Sequence, residues 1–396
     1  MRYFSHFLIA ALSMTAILAG FNWWVDPYAI YHDEASGAVP LRVMNERIFK
    51  TVKLAQTPAD IVFIGTSRTD IGIGREQPAL PGRRLLNLAT FDQRIRETRR
   101  LLERVVQDGE PHTVVLGLDF FAFNALNAAP SDYVEENYNP LRQATLLLSI
   151  STLSDALAKY RRPQAGMGDC CYADGFRLES DPAHQSSDYR HNFVASERLY
   201  LMEKYLPYPR CAFAFATREG EVQSSLSDLR AIFELAQRRN VDLRLFISPS
   251  NARQWETLAA AGLWGTWETW KQQLVVLNEQ EAVHAGRPPF PLWDFSGYDA
   301  VSSEDLPDHR GLGLMRGYSD SSHYTLEVGR RLVARLFGGT DNWGAVLSRS
   351  NIEAQLARIR VAQQQYRASH ARDVAEIRAL ARETAHVKHC PEPGFH

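Results

Sequence analysis

The chain has 396 residues, 45% hydrophobic and 23% charged, with a formal net charge of −2. Those values suit an ordinary globular protein of one large domain with appendages. No excess of positive charge points to nucleic acid, so that class of partner is excluded.

The N-terminus departs from the average. Phe7 to Val25 is a continuous apolar stretch, close to the ~20 residues needed to cross a bilayer. Arg2 precedes it, and Asp26, Asp33 and Glu34 follow it. Retention of positive charge on the cytoplasmic side predicts an inner-membrane anchor over 1–25, with the body in the periplasm of a Gram-negative source. Trp23 and Trp24 fall where an interfacial aromatic belt belongs. A cleaved signal peptide competes, but Ala19-Gly20-Phe21 leads into a bulky apolar run rather than a small-x-small cleavage site.

A connector over 26–60 follows. Asp26 to Arg42 is turn-rich, and Asn45 to Ala55 reads as a short helix that lifts the domain off the membrane. Strands are then expected at Ile61–Ile64, Arg84–Leu88 and Thr113–Leu118, with a helix at Gln93–Gln107. From Asn124 to about Glu221 this rhythm stops, and only Leu141 to Lys159 reads as helix. So long a stretch is read as an inserted cap rather than a connection. Its tyrosines, Tyr133, Tyr138, Tyr172, Tyr189, Tyr200 and Tyr208, favour order and would also suit a sugar-binding surface.

The rhythm resumes with a helix at Leu226–Arg239, a strand at Leu243–Ile247 and a helix at Ala252–Ala261. A further helix begins at the stripe Trp264, Trp267, Trp270, which reads as packing, and Pro291–Phe295 is a last strand. A helix at Leu326–Phe337 closes the α/β domain, assigned to 61–340. The remainder, 341–396, is a long polar helix from Ser350 to about Lys388, broken in its apolar seam by Gln363, His370 and Asp373, and a tail. It is expected to lie along the domain or a partner. Cys170 and Cys171 are adjacent, and either could reach Cys211. His386, His389 and Cys390 form a weak candidate metal set.

The chemistry concentrates in two segments. Ile61-Val62-Phe63-Ile64-Gly65-Thr66-Ser67-Arg68 is a buried strand that delivers a hydroxyl to the end of a sheet, where ligands bind in open α/β folds. Asp320-Ser321-Ser322-His323 puts a carboxylate and an imidazole three residues apart, just before the Leu326–Phe337 helix. A serine hydroxyl is a poor nucleophile at neutral pH unless an imidazole takes its proton. His323 is the candidate base, Ser67 the nucleophile, and Asp320 the group that orients the imidazole. Gly65-Thr66-Ser67-Arg68-Thr69 lacks the second glycine of G-x-S-x-G, which weighs against an α/β-hydrolase.

Gly65-x-Ser67-Arg68 after a first strand, with Asp320-x-x-His323 before a last helix, resembles the SGNH (GDSL-like) hydrolase superfamily. Within it, the chain looks most like membrane-anchored periplasmic members that accompany O-acetylation of alginate, cellulose and other surface polymers. The resemblance implies a three-layer α/β/α fold with a mainly parallel sheet. It implies a serine esterase or O-acyltransferase acting on a cell-surface polysaccharide, with no metal or organic cofactor and a membrane-bound O-acyltransferase as natural partner.

Two positions depart from the family pattern. Asp92 stands where a glycine donates its amide to the oxyanion, and Asp119 stands where an asparagine side chain is expected. A backbone amide survives any side chain, but an ionised carboxylate repels an oxyanion. Asp119 is therefore expected to be protonated or turned away, or Asn124 or Asn87 to substitute. Arg68 could hold an anionic sugar or pair with Asp70 or Asp320. A catalytically weak polymer-binding or scaffold protein is the alternative, and a lipase of the same fold a third reading.

Overall fold

The computed structural model describes residues 2–32, 41–108, 113–161, 169–178, 189–217, 224–307 and 315–390. The side chains of Cys170 and Tyr189, and the prolines of the tail, lie outside the described residues. Helix α1, Arg2–Val25, is long and apolar enough to cross a membrane. Strand β1, Ile61–Ile64, runs into α2, Ser67–Gly72. Then come β2, Leu85–Asn87, α3, Ile95–Asp108, and β3, Thr113–Leu118. The insertion carries α4, Arg142–Leu147, α5, Ile150–Arg161, and α6, Tyr189–Leu199. Next are α7, Ser225–Arg239, β4, Asp242–Ile247, α8, Ala252–Ala260, α9, Trp264–Ala285, and β5, Leu292–Asp294. The chain closes with α10, Leu326–Leu336, β6, Ala345–Val346, α11, Ile352–Ser369, and α12, Ala371–Val387.

The fold is mixed α/β. Six strands stand in the order β2-β1-β3-β4-β5-β6, all parallel except β6, which runs antiparallel to β5. Successive residues of β1 serve opposite faces, as the pleat requires. Val62 and Ile64 join a buried cluster with Leu101, Leu102 and Val105 of α3 and Leu229 and Ile232 of α7. Ile61 and Phe63 join a second cluster with Val328, Leu332 and Val333 of α10. Each fully buried side chain of this size contributes about 1.5–3 kcal/mol. Trp267 and Trp270 are wholly buried in the first cluster, as a packing stripe would be.

Three expectations are corrected. The run Glu46–Gln56 is not a spacer: it is helical in three short pieces, with Phe49 and Lys50 fully buried and Lys50 Nζ bonded to Asp70 Oδ1 at 2.6 Å. Tyr189–Leu199, expected to be irregular, is a helix that buries Arg190, Phe193 and Glu197 on one side while His191, Ala195 and Leu199 face out. The polar C-terminal helix is two helices that meet at His370 (φ −119°, ψ 39°). The ring of His370 stacks on Tyr366 at 4.1 Å, and its Nε2 reaches Asp305 at 2.9 Å. The break turns α12 back against α8, burying Val374, Ile377 and Leu380. There Arg253 is held between Glu197, Asp373 and Glu376.

Cys211 is bonded to Cys390 across 179 residues, rather than to Cys170 or Cys171, and Cys171 is itself disulfide-bonded. A bond closing so long a loop stabilises by about 2–5 kcal/mol. It also removes Cys390 as a thiolate ligand, and no cluster of metal-binding side chains occurs among the described residues.

Close backbone contact sets the distance between the two segments that carry the candidate chemistry. A Cβ placed on Gly329 of α10 would lie 1.7 Å from the carbonyl oxygen of Gly72 at the end of α2. Thus α2 and α10 meet backbone to backbone, one just after Ser67 and the other just after His323. Gly329→Ala is expected to push the helices apart, costing about 1–3 kcal/mol by overpacking. The urea midpoint should fall.

Candidate active site

Ser67 sits at the first turn of α2 because β1 ends in Gly65 and Thr66 caps the helix. A Cβ on Gly65 or Gly117 would meet Thr69 Oγ1 at 2.3 Å, so the turn can lie tight on the ends of β1 and β3. In this strand order the sheet's connections reverse between β1 and β3, the switch point where open α/β sheets bind ligands. Thr66 Oγ1 accepts from Arg68 N at 3.3 Å and donates to Asp119 Oδ2 at 2.5 Å.

The segment before α10 folds back to meet it. Ser319 N donates to His323 O at 3.0 Å, closing a tight turn. Asp320 Oδ1 accepts from the backbone amides of Ser322 (2.7 Å) and His323 (3.0 Å). Its Oδ2 meets His323 Nδ1 at 2.6 Å, and His323 Nε2 meets Ser67 Oγ at 2.8 Å. An ionised Asp320 requires the proton on Nδ1, which leaves Nε2 to accept from the serine hydroxyl. Burial pushes the Asp320 carboxyl up, but His323 and the two amides outweigh it and hold the group below the usual carboxylate range. Ser67 is buried, whereas the His323 and Asp320 side chains keep a partly open edge.

The turn has support from three further elements. After β4, Asn251 N bonds Ser321 O at 3.1 Å, and Ser250 Oγ bonds Ser322 O at 3.3 Å. From the insertion, Ser196 Oγ reaches Asp320 Oδ1 at 3.3 Å, and Tyr200 OH meets Ser322 Oγ at 2.5 Å. Ser196, Tyr200 and Ser322 carry no motif of their own. Ser322 lay inside a motif read for its ends, and Tyr200 among six tyrosines of which only geometry singles it out.

Arg68 links the two halves. Its Nη1 pairs with Asp119 Oδ1 at 3.0 Å, its Nε donates to Ser322 Oγ at 2.9 Å, and its guanidinium lies over the rings of Phe121 and Tyr200. Burial acts to lower its pKa, but Tyr200 and Asp119 beside it raise it further, so the cation persists. Neither Asp70 nor Asp320 is its partner: Asp70 is taken by Lys50 and Arg177.

The other expected residues fall as follows. Asp119 is turned away into Arg68 and Thr66, which removes the feared repulsion of an oxyanion. Asn124 cannot substitute, because its Nδ2 is directed at the carbonyls of Lys204, Tyr205 and Ala212 and its Oδ1 accepts from Leu126 and Ala214. Asn87 is buried with Oδ1 on the amide of Ala89. Asp92 has the left-handed backbone that favours glycine (φ 54°), and its carboxylate pairs with Arg94 and Lys204. Its loop lies against the serine turn, since Thr90 N donates to Gly65 O at 3.1 Å. The Ser67 amide opens α2, where helix geometry provides it no intrahelical acceptor.

Beside this loop, a cleft of about 260 Å³ is lined by Glu46, Arg47, Thr90, Phe91, Asp92, Pro130, Ser131 and Asp132. Among the described residues the cap tyrosines do not form a common surface: Tyr138 and Tyr200 are buried, while Tyr208 is exposed. No protein-family model matches the chain, and no curated protein matches it.

Proposed function

We propose that the protein is a membrane-anchored serine esterase or O-acyltransferase of SGNH-like, three-layer α/β/α architecture, working through an acyl-Ser67 intermediate. The observation that carries the reading is the unbroken chain of hydrogen bonds from Ser67 Oγ to His323 Nε2 (2.8 Å) and from His323 Nδ1 to Asp320 Oδ2 (2.6 Å). In the proposed reaction His323 takes the serine proton as Oγ attacks the acyl carbonyl. It returns that proton to the leaving alcohol, and Asp320 stabilises the imidazolium between those steps. The oxyanion is met first by the Ser67 amide, with the amide of Asp92 as the second donor, each worth about 2.7–4 kcal/mol.

Support for a sugar acceptor is the polar cleft next to the serine turn, where Asp92 keeps Oδ1 without a protein partner among the described residues. The acyl group in this reading is acetyl and the acceptor or substrate a cell-surface polysaccharide in the periplasm, with α1 as an inner-membrane anchor. A membrane-bound O-acyltransferase is the proposed source of acyl groups. No cofactor is needed for these steps. One observation favours the weaker alternative, a binding or scaffold protein: the amide that an asparagine at position 119 would offer is replaced by a carboxylate locked to Arg68.

A fluorophosphonate probe separates the two. The full chain in detergent should be labelled at Ser67, with labelling lost in Ser67→Ala and in His323→Ala. A folded wild-type protein that takes no label and releases no acetate from acetylated glycans would establish the scaffold reading instead.

A further inference from the structure

The insertion does more than cover the site: it also meets α1. Asn22, one turn before the end of α1 and fully buried, donates from Nδ2 to Leu147 O at 2.8 Å and Ser149 O at 3.3 Å. These carbonyls belong to the end of α4 and the turn into α5, where a helix leaves its last acceptors open. The far end of α5 reaches the same short stretch of α1. Tyr160 packs on Phe21 and Trp24 with ring centres 6.2 and 5.8 Å away, and Lys159 Nζ bonds Asp26 O at 2.7 Å. With both ends of α5 at residues 21–26, the helix lies across α1 rather than along it.

Large apolar groups lie uncovered on the outer side of this hairpin, interspersed with the polar Thr145, Ser151, Ser154 and Arg161. Leu141 (69% exposed), Leu148 (53%), Ile150 (77%) and Tyr160 (57%) all face outward. No charged residue occurs from Gln143 to Ser154. An outward row of large apolar groups at the level where an apolar helix ends is continuous with that helix's own surface. The Asn22 contacts have the same meaning, since a carbonyl without water must find a donor within the protein.

We propose that the α4–α5 hairpin is a second membrane contact, with Leu148 and Ile150 sunk into the lipid interface and α5 lying in its plane. The partner is a lipid bilayer surface. This rests on the reading of α1 as a membrane span. Trp23, Trp24 and Tyr160 then form one interfacial aromatic group drawn from two distant parts of the chain.

The test uses the full chain in vesicles of phosphatidylethanolamine and phosphatidylglycerol. The photoreactive residue p-benzoylphenylalanine is placed singly at Leu12 in α1, at Leu148, at Ile150, and at Val283, which is as exposed as Ile150 but on the helix leading into β5. All four side chains are exposed, and unchanged circular dichroism verifies each variant's fold. Lipid adducts at Leu148 and Ile150 in yield comparable to Leu12, with none at Val283, are expected. Adducts at Leu12 with Leu148 and Ile150 no better than Val283 overturn the proposal and leave the anchor intact. Crosslinks from Ile150 to a second copy in place of lipid also overturn it, and absence of adducts at Leu12 removes the span and the proposal together.

Discussion

Replacing Asp320 with asparagine is expected to slow acyl transfer by about 10⁴-fold with the fold in place, the scale seen when a triad carboxylate is neutralised. The carboxylate does two jobs here. Its Oδ1 holds the turn by accepting the amides of Ser322 and His323, which an asparagine oxygen can still do. Its Oδ2 fixes the proton on His323 Nδ1, and an amide NH₂ facing that nitrogen would force the opposite tautomer. Nε2 would then carry hydrogen and could not accept from Ser67.

The check is a burst experiment with an activated acyl ester, comparing Asp320→Asn with the wild type. Loss of acylation with the circular dichroism of the folded protein retained is the expected outcome; equal burst rates would remove Asp320 from the mechanism. The pH dependence follows from the same contacts. The Asp320 pKa is depressed in the folded protein, so its stabilising contribution is present above the unfolded value of about 3.9 and is lost as pH falls through the lower, folded value. The part of the stability difference between wild type and Asp320→Asn that comes from the carboxylate charge should accordingly shrink in that acid range.

Arg68→Met is expected to destabilise the fold by about 3–5 kcal/mol. Both partners of the Arg68–Asp119 pair are nearly inaccessible to solvent, so removal of the cation leaves an uncompensated charge beside Thr66. Ser322 also loses its donor, and with it the bridge from the nucleophile's helix to the base's turn. The double variant Arg68→Met with Asp119→Leu should recover much of the stability, because no buried charge is left alone. It should not recover the acylation rate, because the bridge to Ser322 is still missing. Urea unfolding of the single and double variants, with the burst assay beside it, reads both effects. A double variant no more stable than Arg68→Met would show that the pair is not the source of the loss.

How far the sequence reveals this arrangement depends on the range of the interaction. β1 is legible because four consecutive apolar β-formers end in glycine, and the observed strand has the expected ends. The strand at β2 is trimmed by one residue on each side. β6 escapes notice because two residues carry no period. Tyr189–Leu199 is hidden because its buried side carries the charged Arg190 and Glu197 beside Phe193, so it shows no apolar stripe. The break at His370 is hidden for the opposite reason: its neighbours are good helix formers, and its tertiary contact with Asp305 is not visible in sequence.

At the site, the order Ser67, Asp320, His323 is visible as a pattern of residue types, but the choice of partner for Arg68 is not. The sequence offers Asp70 and Asp320, whereas Asp119 is its partner because β3 lies beside β1 in the sheet. The same adjacency explains why a carboxylate can occupy position 119. Its charge is neutralised by a residue 51 positions away, which sequence spacing does not reveal.

The join between α1 and the rest of the molecule has a further consequence. Asp26 receives the amides of Ile30, Tyr31 and His32, while Tyr28 OH reaches Asp155 at 2.6 Å and Tyr31 OH reaches Gln143 O at 2.6 Å. A leash of free residues would leave the domain to swing, and each encounter with another molecule would have to quench that motion at an entropic cost. In this chain the swing is quenched during folding. The mouth of the serine site keeps one bearing and one distance relative to α1, so any second component sharing that helix's surroundings meets a partner whose tilt is already set.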